Sequence, residues 1–206
     1  MDDTSSFLAS DGDDNTPQNS RDLDAEWGPS NFDVRHRFVF SGSAATPAGG
    51  VPQVLRHWQA SVVFSAQSGR PFTPRVSFDN SNTGNVGGGT FAYDRPNLVF
   101  VSSTSLPPPG ARRYRDQTFV VAPPFMFGNA GRNSLVGPAS ATLDAMISRR
   151  FPFARGRQLV VRVEIFNALN RLNRQLPDSF VDRVTFGQSL SAAAPRQVQL
   201  AARFVF

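Results

Sequence analysis

Catalysis by a nucleophile and its base, or by a metal on protein ligands, calls for histidine, cysteine or carboxylates brought together at one place. The chain has two histidines, His36 and His57, and no cysteine. They fall in separate segments, read below as different strands and toward opposite ends, so neither a triad nor a histidine-ligated metal site is expected. No serine sits in a G-x-S-x-G elbow. All 21 basic residues are arginine, which removes the P-loop lysine and Schiff-base chemistry. The cluster Gly84, Gly87, Gly88 and Gly89 does not open a helix after a strand, so it reads as a loop tip rather than a phosphate cradle. Asp11, Asp13 and Asp14 resemble the start of a calcium loop, but the glycine and closing glutamate of such a loop are not at their positions. They read as a solvated acidic loop. On these residues the chain is not expected to be an enzyme, and no metal or cofactor is expected.

What positions the remaining charges matters more. Residues 1–33 carry nine acids against Arg21 alone, and residues 34–206 carry twenty arginines against seven acids. Such asymmetry points to different surroundings for the two parts. The arginines are spread through strands and turns with no cluster longer than ARRYR at 111–115, so nucleic acid is not expected as a partner. The longest apolar run, FVVAPPFMF at 119–127, is cut by two prolines, which excludes a transmembrane helix. The first residues, MDDTSSFLASDGDD, are acidic and polar and do not read as a signal peptide.

Apolar and polar residues alternate with period two in five places, while helical periodicity of useful length is absent. Trp58, Ala60, Val62, Phe64 and Ala66 face one way in 58–67, opposite Gln59, Ser61, Ser65 and Gln67. Ala141, Leu143, Ala145 and Ile147 repeat this in 139–148 opposite Ser140, Thr142, Asp144, Met146 and Ser148. In 158–166, Leu159, Val161, Val163 and Ile165 oppose Gln158, Arg162 and Glu164. In 196–206, Val198, Leu200, Ala202, Phe204 and Phe206 oppose Gln197, Gln199 and Arg203. Near 34–44, Phe38, Phe40, Gly42 and Ala44 oppose Arg35, Arg37 and Ser41.

A strand with one apolar and one polar face suits either a soluble core or lipid. Length favours lipid: a strand tilted near 45° needs about 9–11 residues to cross, and strands of soluble sheets run about 5–6. The connections agree. Counting back from the C-terminus they are long (167–195), short (PFARGR, 152–157), very long (68–138) and fairly short (45–57), with the polar segment 1–33 before the first strand. Outer-membrane barrels alternate short periplasmic turns with long extracellular loops in this way. The expected fold is therefore all-β: an antiparallel transmembrane sheet of about five long strands, a partial segment of a large outer-membrane barrel. Residues 1–33 would be an acidic extracellular loop, and 34–206 would hold the strands with extracellular loops 68–138 and 167–195. The tip 82–89 is expected to be mobile. Arg35, Arg37, Asp144, Arg162, Glu164 and Arg203 would point into the lumen, pairing with each other or with a plug, and Trp58, Phe151 and Phe153 would belong to an interfacial girdle.

The segments GPSNFDVRHRFVFSG (28–42), HWQASVVFSAQSGRPFTP (57–74), DRPNLV (94–99), FGNAGRNSLVGPASATLDAMISRRFPF (127–153), VRVEIFNALNR (161–171) and PRQVQLAARFVF (195–206) resemble, in this order, the C-terminal barrel of Oar-like TonB-dependent receptors. Val136 and Ala139 stand where that pattern has arginine and glycine. The resemblance implies a barrel of ~22 strands with a plugged lumen, located in the cell outer membrane and energised through TonB. Its partners would be outer-membrane lipid, further N-terminal barrel strands and a plug domain, none of which this chain contains. Uptake of a ligand would then belong to the full-length protein. The row Val198, Leu200, Ala202, Phe204 and Phe206 is similar to the signal by which such barrels engage the barrel-assembly machinery. Two other classes fit part of the pattern: a soluble or secreted β-sandwich binding module whose apolar faces close on one another, and a membrane-bound hydrolase on a small barrel.

Overall fold

The computed structural model describes residues 17–85, 93–101 and 106–206. Ten strands are found there: β1 Arg37–Ala45, β2 Trp58–Gln67, β3 Pro71–Phe72, β4 Asn97–Val99, β5 Arg112–Tyr114, β6 Gln117–Val120, β7 Leu135–Val136, β8 Ser140–Pro152, β9 Gln158–Phe166 and β10 Gln197–Val205. The helical residues among those described are three single 3-10 turns, Asp24–Glu26, Gln53–Leu55 and Ala154–Gly156. The chain divides into two units.

One unit, residues 35–68, 139–174 and 192–206, is a five-stranded sheet in the order β1-β2-β8-β9-β10. Every neighbouring pair is antiparallel. These are the five segments with period-two alternation, and their boundaries shift by only a few residues: β1 starts at Arg37, leaving Arg35 outside it, and β8 runs on to Pro152. The strands have 9, 10, 13, 9 and 9 residues, enough for a tilted crossing. Register decides which face each residue shares, because directly opposed residues lie on one side of an antiparallel pair. Phe40 pairs with Phe64 and Phe64 with Leu143. Farther along, Ala145 pairs with Ile165 and Ile165 with Val198. All five apolar rows therefore fall on one face.

That face is uncovered. Phe40 is 53% exposed and Leu200 78%. The turns between β1 and β2 and between β8 and β9 lie at one end of the sheet, where β10 also finishes, and every long connection departs from the other end. Tight reversal needs left-handed backbone, and the second short turn supplies it at Arg155 (φ 61°) and Gly156 (φ 76°).

The other unit takes the described residues of 17–34, 69–138 and 175–191. Segment 68–138, expected as a long loop with a mobile tip, instead contains β3 to β7, in a two-stranded sheet β3-β7 and a three-stranded sheet β4-β6-β5. Part of the expected tip, from residue 86, lies outside the described residues, as do Asp11, Asp13 and Asp14. A core of Phe72, Val76, Phe119, Ala130, Leu135, Val181 and Phe186 holds the unit. Phe119 meets Phe186 edge-on at 5.9 Å between centroids, and Tyr114 meets Phe72 at 5.4 Å. Burying each large apolar side chain stabilises by about 1.5–3 kcal/mol. Gly69 allows close passage of the chain, since a Cβ there would lie 2.0 Å from the Gly137 carbonyl oxygen.

Residues 17–33 are fixed to this unit by polar contacts. Gln18 donates its amide to the Gly128 carbonyl at 3.0 Å, and the Arg95 guanidinium reaches the Glu26 carboxylate at 2.6 Å with both side chains buried. Burial pushes the Glu26 carboxyl above its ordinary value of 4.5, and Arg95 pulls it back only in part. The group therefore binds its proton more tightly in the folded unit than in the unfolded chain. Its contribution to stability is greatest below 4.5 and falls as pH rises through the folded pKa. Glu26→Ala removes the oxygen that accepts from both the Arg95 guanidinium and the Gln18 N–H, and should cost about 1.5–3 kcal/mol. Glu26→Gln should be tolerated and should flatten that pH dependence. Proteolysis of 69–138 in the folded protein, followed from pH 4 to 8, measures both effects.

Candidate functional site

The geometry available for function lies on the two faces of the five-stranded sheet. On the polar face, Arg37 opens β1 opposite Gln67. Asp144 lies opposite Val63, Arg162 between Ser148 and Ala201, Glu164 between Met146 and Gln199, and Arg203 opposite Val160. Arg35 precedes the strand. These residues share a face but make no single cluster. Arg162 and Glu164 approach to 3.5 Å along one strand with both side chains part-exposed, and Asp144 instead accepts the backbone N–H of Asn167 at 2.9 Å. Ser65 and Thr142 place their hydroxyls 2.8 Å apart. Arg37 and Arg203 stand near opposite ends.

The Asp144 contact explains part of the segment VEIFNALNR. Asn167 has left-handed backbone (φ 49°), which asparagine tolerates better than most residues. Its side-chain amide donates to the carbonyls of Arg171 and Ala194, and its side-chain oxygen accepts the Arg171 N–H. One residue thus closes the end of β9 and ties down the return toward β10. Sequence reading placed Asp144 among lumen charges and missed this role. The signal was Asn167 immediately after an apolar row.

On the apolar face, Val198, Leu200, Ala202 and Phe204 oppose Ile165, Val163, Val161 and Leu159. They belong to β10, an edge of the sheet. Phe206 follows the strand, 97% exposed, with its ring 6.3 Å from that of Phe204. Phe153 approaches Phe204 at 6.4 Å, and Trp58 and Phe151 lie at this same end. The face also carries a charge that sequence reading did not single out. Arg149 pairs with Trp58 and Val161, on the apolar side, and its guanidinium sits 5.2 Å from the Trp58 ring and 4.9 Å from that of Phe151.

His36 and His57 flank β1 and β2 at opposite ends of the sheet, about 36 Å apart by strand rise. Among the described residues no three of His, Cys, Asp and Glu come together as a metal site would need. What the sheet can do is separate two media, with hydrocarbon suited to one face and water to the other.

A family model described as "Outer membrane beta barrel domain" matches residues 1–199. No curated protein and no solved structure matches the chain.

The polar face yields a graded expectation. Asp144→Ala removes the acceptor of a charge-assisted hydrogen bond and should cost about 1.5–3 kcal/mol. Glu164→Gln breaks a solvent-screened pair and should cost no more than about 1 kcal/mol. Urea midpoints of the protein folded in lipid vesicles compare the two.

Proposed function

From the premise that the chain belongs to the outer membrane beta barrel domain family, we propose that it forms part of the wall of a TonB-dependent receptor of Oar-like type. Ligand uptake is then a property of the full-length protein. The observation that carries this reading is the uncovered apolar face built from five adjacent antiparallel strands. In water such a face is a liability far larger than the scattered apolar residues of an ordinary surface. Against hydrocarbon it is satisfied, and the family implies an outer-membrane location where hydrocarbon is available.

Strand parity supports a larger wall. β1 and β10 run in the same direction, so they cannot close on each other as an antiparallel pair. An odd number of further strands between them completes an even, fully antiparallel barrel. The short turns would be periplasmic and the core-bearing unit extracellular. Polar residues lining the lumen, Arg37, Asp144, Arg162, Glu164 and Arg203, would meet water or a plug domain. The reading is non-enzymatic. A β-sandwich binding module is less favoured, because it needs this apolar face buried against a second sheet, and Leu200 and Phe40 are exposed.

The receptor reading adds two partners, TonB for energy and the barrel-assembly machinery for insertion. Edge strand β10 supports the second: its free backbone can add to another sheet while alternate side chains select the partner.

Arginine placed at Val163 or Leu143 should cost about 2–4 kcal/mol near the bilayer midplane, and arginine at Thr142 much less. Assembled protein in the outer membrane of cells carrying each variant is the measure. Equal tolerance on the two faces would overturn the assignment.

If the β10 row is an assembly signal, changing Phe206 to Asp should leave unfolded protein in the periplasm. Insertion of that variant at the parent's rate and level would leave only the strand assignment standing.

A further inference from the structure

The short-turn end of the sheet is strongly basic. Arg56, Arg149, Arg150, Arg155 and Arg157 lie in or beside its two turns, and residues 45–59 and 149–158 contain no aspartate or glutamate. Four of these arginines belong to turns or to the polar face, where water can solvate them. Arg149 does not. It stands on the apolar face beside the Trp58 and Phe151 rings, with Nη2 donating to the Gln53 carbonyl at 3.1 Å. A guanidinium has five N–H donors in a fork that fits phosphate oxygens.

Directly along the same face from Arg149 and Trp58 lies a groove of about 490 Å³. Gly42, Ala44, Ala60 and Ala145 give it depth, and Ile147 and Val163 wall it. Ile147 and Ala60 pair with each other one step along the face from the Arg149–Trp58 pair. A cation at the head and an apolar trough behind it require an occupant with an anion at one end and hydrocarbon at the other.

We propose that this is a binding site for an anionic glycerophospholipid of the periplasmic leaflet, its phosphate on Arg149 and an acyl chain along the groove. The proposal rests on the lipid-facing reading of the apolar face. Charge complementarity selects the head group: the basic collar repels cations and draws anionic lipid, at about 1 kcal/mol per arginine near the surface. Trp58 and Phe151 lie at the short-turn end of the sheet, and in membrane barrels aromatic rings at strand ends settle beside head groups. The surrounding rings also lower the cost of holding a guanidinium on an apolar face.

The test uses Trp58 as reporter in the protein purified from outer membranes, with Trp27→Phe removing the other indole. The protein is reconstituted in phosphatidylcholine vesicles containing either brominated phosphatidylcholine or brominated phosphatidylglycerol, whose bromines quench indole on contact. The anionic lipid should quench Trp58 at a mole fraction about fivefold lower than the zwitterionic one, the equivalent of one arginine at the surface. Arg149→Gln should abolish that preference, and Arg203→Gln, on the polar face, should keep it. Ala60→Phe should reduce quenching by both lipids by filling the groove.

Equal quenching by both lipids in the parent would overturn the site and leave the lipid-facing wall intact. A reporter introduced by Leu200→Trp, on the same face outside the groove, separates the remaining outcomes. If it is quenched and Trp58 is not, another molecule covers the groove, for instance a second copy, and the site is overturned. If neither is quenched, the lipid-facing reading falls with it.

Discussion

The antiparallel register of the five-stranded sheet is the constraint on which everything else depends. Side chains alternate along a strand with period two, so a slip of one residue in any pairing would move a whole row to the opposite face. With Phe40 on Phe64, Phe64 on Leu143 and Ile165 on Val198, the five rows add to a single apolar surface. One slipped strand would place Arg162 and Glu164 among valines and send Val163 and Ile165 into the polar row. The cost of mixing apolar and polar rows is what makes the register unique, since the backbone ladder by itself accepts either pairing.

The two units meet the same physical demand in different ways. The core-bearing unit buries Phe72, Phe119 and Phe186 together and has small sheets and a buried ion pair. Within the five-stranded sheet, the only buried apolar side chain among those described is Ala141, at 9% exposure. The sheet's apolar row is instead left exposed, as at Phe40 and Leu200. Backbone polar groups in the sheet are satisfied by strand pairing except along the free edges of β1 and β10, the feature a barrel removes by closing.

Charge follows this division. Acids are concentrated in the core-bearing unit, and the two acids within the long strands, Asp144 and Glu164, both stand on the polar face. Arg149 alone brings a charge to the apolar face, and it does so in the ring of aromatic residues at the short-turn end. The cation is tolerable there because the Trp58 and Phe151 rings and the Gln53 carbonyl surround it.

The sequence by itself determined the five long strands, their two faces and the alternation of short and long connections. Period two is a local property, readable from Trp58–Gln67 or Gln158–Phe166 without knowing any partner. The resemblance pointed to an outer-membrane barrel, and the family match agrees at that level. The core of the second unit was not legible, because its strands have two to four residues, too few for periodicity, and Phe72, Phe119 and Phe186 are scattered over more than a hundred positions. Nor was the pairing of Arg149 with Trp58, since the alternation was read only to residue 148 and the residue that stands opposite is set by register rather than by parity. Local alternation costs nothing to encode in sequence; which distant residues meet is decided only when the chain closes its loops and the packed contacts outweigh the entropy lost.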